Sequence, residues 1–267
     1  MENIKTIELK KRPWVVAHRG YRAKYPENTL VAFEAAIAVE SDMLELDVCL
    51  TRDRIPVVIH DKTLDRTTNG KGLVSAHTIS ELKELDAGSW FDAEFKGETI
   101  PTLEELLQKI KGRITVNIEI KPESFEAPAP PDAIEVQVCE MVEKLEMADS
   151  VLISSFEHFF FARIQRWYRD QKKPTKIRTA TLQEAPLADD FAVALCQRHK
   201  AYSYHPDESL VTPELIQLLR TEGFRIFPYT VNSEKRMEQL INWGVSGIIC
   251  DEPELLWKVI RRLENSE

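Results

Sequence analysis

The stretch "VVAHRGYRAKYPENTLVAF", Val15 to Phe33, holds one strand-then-helix unit and governs how the rest of the chain is read. Val15, Val16 and Ala17 form a short run of small and β-branched apolar residues, the pattern of a buried strand. From Asn28 to Val39 the spacing of Leu30, Phe33, Ala36 and Ile37 puts one apolar face on a helix. Between the two stands His18-Arg19-Gly20. An imidazole and a guanidinium are poor packing residues at the tip of an interior strand, so this tip is marked for chemistry.

The same unit recurs along the chain. Strands are predicted at Trp14–Ala17, Met43–Val48, Ile114–Ile120, Val151–Ser154, Ile177–Thr181, Ala201–Tyr204, Arg225–Val231 and Gly247–Cys250. Helical patterns lie at Leu103–Ile110, Ile134–Leu145, Phe159–Tyr168, Asp190–Arg198, Pro213–Arg220, Glu234–Trp243 and Pro253–Leu263. Alternation of strand and helix of this kind demands a parallel sheet covered by helices. Eight such units in 267 residues suit closure into a single-domain (β/α)8 TIM barrel over residues 1–267.

Two places break the rhythm. After Val48 comes "CLTRDRIPVVIHD", a turn followed by a second β-branched run, Val57–Ile59. With no helix between the runs, they should pair as an antiparallel hairpin. A turn centred near Asp53 returns His60 beside Leu46 and Asp47. Residues 61–101 then read as a small insertion after the second strand, lying over the barrel mouth. The second break is the proline-rich "ESFEAPAPPDA" after Lys121.

Barrel enzymes carry their chemistry at the C-terminal ends of the strands. Glu45 and Asp47 are two apart, so both leave the same face of one strand; Glu119 and Lys121 repeat the arrangement. Three carboxylates converging at one mouth would push protons onto one another unless a positive charge sat between them. Oxygen-only ligands point to a divalent cation of the Mg2+ or Ca2+ kind. His18 and His60 approach it from different strands, flanked by Arg19 and Lys121. The cluster suits a phosphodiester: guanidinium and metal hold phosphoryl oxygens while paired imidazoles move protons.

The elements "AHRG", "PENT", "ELDV" and "VVIHD", followed by "EIK", "SF", "YTVN" and "GIICDEP", resemble the glycerophosphodiester phosphodiesterase family from about His18 to Pro253. The resemblance implies metal-dependent hydrolysis of glycerophosphodiesters to glycerol 3-phosphate and an alcohol. It assigns His18 and His60 as the acid/base pair and Glu45, Asp47 and Glu119 as holders of the cation. It gives the phosphate to Arg19 and Lys121, and the shaping of the glycerol pocket to the insertion. The family commonly has Trp where this chain has Tyr229, which keeps an aromatic wall beside the substrate but changes its shape. It commonly has Asp where this chain has Ser246, a position read as packing. The nearest rival is a lysophospholipase D-type hydrolase acting on lysophospholipids; a carbon–carbon lyase would not need the two histidines.

Other residues read as structural. Asp251 is read as the N-cap of the helix opening at Pro253. His77, His158 and His199 are read as solvated, His205 as a candidate lining the mouth, and Phe159–Phe161 as core or interface. Thr67–Gly72 lacks phosphate-loop spacing and reads as a turn. Asn28 and Thr29 open a helix, and Glu27 is placed to support Arg19.

A net charge of -9 argues against a nucleic-acid groove. The four cysteines show no paired spacing and read as reduced thiols. The absence of an apolar leader or of any ~20-residue apolar span points to a cytoplasmic protein without stable membrane association. The sequence leaves a homo-oligomer open.

Overall fold

A computed structural model describes residues 6–7 and 10–265. Among the described residues nine strands form one sheet. Eight of them run parallel: β1 Trp14–Ala17, β2 Met43–Leu50, β4 Thr115–Ile120, β5 Val151–Ser155, β6 Arg178–Gln183, β7 Ser203–Pro206, β8 Arg225–Ile226 and β9 Gly247–Cys250. Seven larger helices follow the first units in turn: α1 Leu30–Ala38, α3 Leu103–Ile110, α4 Ile134–Lys144, α5 Phe159–Asp170, α6 Asp189–His199, α7 Pro213–Thr221 and α8 Glu234–Trp243. An eighth, α9 Pro253–Glu264, closes the series. The result is the (β/α)8 barrel that strand–helix alternation requires.

Sheet order runs β8-β7-β6-β5-β4-β2-β1-β9. The cylinder is completed between β8 and β9 by single hydrogen bonds: Ser246 N to Ile226 O at 3.0 Å, Ile249 N to Pro228 O at 3.0 Å and Val231 N to Ile249 O at 3.0 Å. Here the expected strand Arg225–Val231 is cut to two residues. Pro228 has no N–H to give the ladder, so regular pairing stops while the chain still follows the barrel wall. β6 and β7 also lie one to two residues later than expected. Ala201 is taken up by a bond to Cys196 O behind the left-handed Lys200 that ends α6.

Strand β3, Pro56–Val58, pairs antiparallel with the top of β2, Val48 opposite Val58. Ile59 N donates to Asp47 O at 3.1 Å, which sets His60 level with Leu46 as the turn at Asp53 demands. Residues 61–101 contain one short α-helix, α2 Ile79–Lys83, between two single 3-10 turns, and its start is fixed by a reciprocal Thr78–Glu81 capping box. This stretch packs on the hairpin through Leu64, Val74, Leu82 and Ile100 against Cys49, Val57 and Ile59.

The main core lies between strands and helices; a smaller one plugs the lower barrel with Trp14, Val16, Met43, Leu152, Phe227 and Ile249. Gly247 belongs to that plug. A Cβ there would sit 2.4 Å from the Phe227 ring, so only glycine admits the phenylalanine. All four cysteines are buried and unpaired. Phe160 and Phe161 are wholly buried, whereas Phe159 is 62 % exposed.

Candidate active site

Register decides which side chains meet. Val16 pairs with Met43 and with Ile249, Glu45 with Asn117 and Asp47 with Glu119. Neighbours in register share a face, so His18, Glu45, Asp47, Glu119 and Asp251 all point into the barrel at its C-terminal end. Ligand oxygens of Glu45, Asp47 and Glu119 come within 4.8 Å of one another, and all three residues are buried.

The electrostatics of this triad are those of crowded acids. Burial, reinforced by Asp47 and Glu119, drives the Glu45 carboxyl well above its ordinary range. Glu119 rises to about 7 through burial and the charge of Asp47. Asp47 is also penalised by burial, but Arg19, Lys121 and an Asn28 hydrogen bond overcome this and keep it low. Lys121 Nζ donates to Glu119 at 2.7 Å and approaches Asp47 at 3.4 Å. Two nearby cations therefore leave the triad short of compensation. An all-oxygen donor set with protons forced onto two of its members fits a hard divalent cation.

Gly20 and Arg19 make the turn that brings the tip of β1 over this cluster. Gly20 has φ +83°, and a Cβ there would lie 2.7 Å from the Ala32 backbone. Arg19 itself is left-handed, φ +54°, a conformation that costs a non-glycine residue about 1 kcal/mol or more. In return its backbone N–H donates to Glu45 at 3.0 Å, and its Nε lies 3.3 Å from Asp47. Asn28 also takes a left-handed φ and donates from Nδ2 to Asp47 at 2.9 Å, while Thr29 caps α1.

Each imidazole is held at Nδ1 by an aspartate. His18 Nδ1 lies 2.6 Å from Asp251, and His60 Nδ1 lies 2.6 Å from Asp61. Arg19 Nε donates to His18 Nε2 at 3.1 Å, so that nitrogen is an acceptor and the His18 proton resides on Nδ1. His18 Nε2 stands 4.0 Å from Glu45. Burial lowers the affinity of both rings for a proton. Tyr229 is half-buried beside the Phe156 ring, with its hydroxyl donating to Gln183 O at 3.1 Å.

Several sequence readings are corrected here. Asp251 is not the cap of α9: Glu252 occupies that position, and the Asp251 carboxylate instead accepts from His18, Asn232 at 2.8 Å and Arg22 at 3.4 Å. Burial opposes its ionisation, yet the His18 bond and neighbouring cations hold it at about 2. His205 does not line the mouth. It is 1 % exposed inside the barrel, bonded to Ser203 at 2.9 Å and pushed by burial to about 3, hence neutral. His158 is not solvated; it bonds Leu182 O and, with His199, packs on Phe161. Ser246 bridges β8 and β9 below the site by accepting from Ile226 N at 3.2 Å.

Further residues were given no role in the site from the sequence: Asp61, Asp251 and Asn232, which lie behind the imidazoles, and Arg22 and Arg66 behind those. The signal for Asp251 lay in strand alternation, since Gly247, Ile249 and Asp251 share a face. Arg22 and Arg66 each join a carboxylate five residues away, Glu27 and Asp61, to one distant in sequence, Asp251 and Glu27, and the distant half left no local pattern.

The family model of the glycerophosphoryl diester phosphodiesterases matches residues 18–255. A glycerophosphodiester phosphodiesterase of Caldanaerobacter subterraneus is 40% identical over 250 residues, spanning 93% of this chain and 98% of its own. One from Bacillus subtilis is 33% identical over 91% of this chain and 85% of its own. Among solved structures, an Oleispira antarctica phosphodiesterase in complex with the product sn-glycerol-3-phosphate superposes with TM-score 0.83 at 30% identity, covering 94% of this chain and 97% of that one. The Agrobacterium tumefaciens glycerophosphodiester phosphodiesterase gives 0.76 at 30% identity over 91% and 98%. With the barrel, the acidic triad and the paired imidazoles in place, the chain belongs to the glycerophosphoryl diester phosphodiesterase family and is a phosphoric diester hydrolase.

Proposed function

We propose that this enzyme hydrolyses glycerophosphodiesters to glycerol 3-phosphate and an alcohol, using His18 and His60 and one divalent cation, Mg2+ or Ca2+, held by Glu45, Asp47 and Glu119. The observation that carries the reading is the triad within 4.8 Å, with an aspartate-anchored imidazole on each of two flanking elements. When bound, the ion would offset charge on the phosphoryl oxygens and polarise the phosphorus centre. The product complex of the Oleispira relative supports a small-molecule substrate of this kind.

The remaining work falls to side chains of this chain. Arg19, turned toward the triad, and Lys121 supply the positive charge that draws the phosphate in. His18 Nε2 is unprotonated and accepts from Arg19; once the phosphate draws that guanidinium away, its lone pair takes the proton of the attacking hydroxyl. His60, tethered through Nδ1, serves as acid in its imidazolium form, giving the Nε2 proton to the leaving alkoxide while the proton gained by His18 passes to solvent. A negatively charged diester beside it works against the lowering that burial imposes. Tyr229 forms the wall along the glycerol moiety, and residues 61–101 cover the mouth. Among the described residues no helix is long and apolar enough to cross a membrane. No observation favours the lysophospholipid alternative.

The test is a panel of glycerophosphodiesters assayed by glycerol 3-phosphate release, with chelation and metal add-back. His18→Ala and His60→Ala should each lower kcat by roughly two to four orders of magnitude while circular dichroism stays unchanged. Full turnover in either variant overturns the mechanism.

A further inference from the structure

Two imidazoles on different elements can serve one phosphorus centre only if their separation is fixed. No direct contact joins His18 to His60, or either ring to the other's aspartate. A single carboxylate joins them instead. Glu27, only 4 % exposed in the turn before α1, accepts from three guanidinium groups at once. Arg19 reaches it at 2.8 Å, Arg22 at 3.0 Å, and Arg66 at 2.7 and 2.9 Å through both oxygens. Arg22 extends to Asp251 at 3.4 Å. Arg66 extends to Asp61 at 2.7 and 3.0 Å. The path His18–Asp251–Arg22–Glu27–Arg66–Asp61–His60 is therefore continuous. With Arg19 included, its three guanidinium groups balance its three carboxylates.

We infer that Glu27 is a positioning residue that sets His18, His60 and Arg19 relative to one another, and that Arg66 is the arm through which residues 61–101 take part. The inference rests on the reading of His18 and His60 as the acid/base pair. Its physical basis is the geometry of the guanidinium group. The planar fork of Arg66 bonds two carboxylates simultaneously in fixed directions, which a lysine ammonium cannot do. Glutamine at position 27 would turn amide hydrogens toward guanidinium donors and remove the charge that all three arginines share. Arg66 would then swing with Asp61, and His60 would lose its bearing. Misplacement by about 1 Å at a reacting centre costs on the order of 100-fold in rate.

A clamp that served stability alone would lower the melting temperature and leave turnover of the folded enzyme intact. Steady-state kinetics well below the melting temperature separate the two cases. Glu27→Gln and Arg66→Met should each lower kcat by about 10- to 100-fold, and the double variant should be no worse than Glu27→Gln alone. Arg66→Lys, at a half-exposed position that tolerates change, should be as slow as Arg66→Met. Wild-type kcat in Glu27→Gln or Arg66→Lys, or losses that simply multiply in the double variant, would overturn the inference. Should Glu27→Gln not fold, the comparison of Arg66→Lys with Arg66→Met decides alone. Activity surviving in His18→Ala would sink the acid/base reading instead, whatever these variants show.

Discussion

His18 Nδ1 and Asp251 Oδ1 lie 2.6 Å apart and join the first strand of the barrel to the residue that follows the last. The contact fixes the tautomer as well as the tilt of the ring, because a carboxylate can only accept. Asp251 is itself braced by Asn232 from the far side of the β8–β9 junction.

Replacing that carboxylate with an amide removes the charge and lets the ring adopt the other tautomer. Asp251→Asn should therefore lower kcat by roughly 100-fold or more, with KM changed only a few-fold. A kcat within twofold of wild type would show that His18 needs no orienting partner.

Cation binding should be visible in stability, apart from turnover. Saturation at about 100 times Kd adds about 2.7 kcal/mol, or roughly 5–10 °C in Tm for a chain of this size. The pH dependence has two limbs. Glu27 is depressed from 4.5 to about 2: burial opposes ionisation, but Arg66, Arg19 and Arg22 outweigh it. Its stabilisation, about 3 kcal/mol, is complete above pH 4.5 and disappears as pH falls toward 2. Asp251 and Asp61, lowered from 3.8 to about 2, are lost over the same acid window. Glu119 works the other way. Folded, it titrates at about 7, so chelated protein binds a proton there that the unfolded chain has already released. Chelated enzyme should thus lose stability as pH rises from 4.5 to 7, and Glu119→Gln should make that slope shallower, with buried Glu45 supplying the rest. Scanning calorimetry across pH, with and without chelator, reads both limbs; identical curves would contradict the shared-ion site.

Gly247 tests the lower plug independently of catalysis. A methyl group 2.4 Å from the Phe227 ring must displace it, and overpacking of this kind costs about 1–3 kcal/mol. Gly247→Ala should lower Tm by roughly 2–10 °C. An unchanged Tm would mean that the ring has room to move aside.

The barrel was legible because its signals are local. Apolar runs and helical periodicity announce each unit, and same-face alternation brings Glu45 and Asp47 together and adds Glu119. One count, from Asp53 outward, placed His60 opposite Leu46, and Ile59 does bond Asp47. What stayed hidden depends on register between elements far apart in sequence. Asp251 resembled a helix cap because Pro253 and Glu254 follow it, and only the pairing of Val16 with Ile249 turns it toward His18. Pro228 shows the opposite failure. A strand pattern ran through it from Arg225 to Val231, but propensity cannot supply the missing N–H.

The sparse join between β8 and β9 also determines how this cylinder breathes. Adjacent staves elsewhere are laced by regular ladders, whereas this pair is pinned at a few points, so transient parting is expected along that line first. Asn232 lies beyond the line and His18 on the near side with Asp251. A brief gap would therefore detach the amide from the carboxylate while the imidazole keeps its hold.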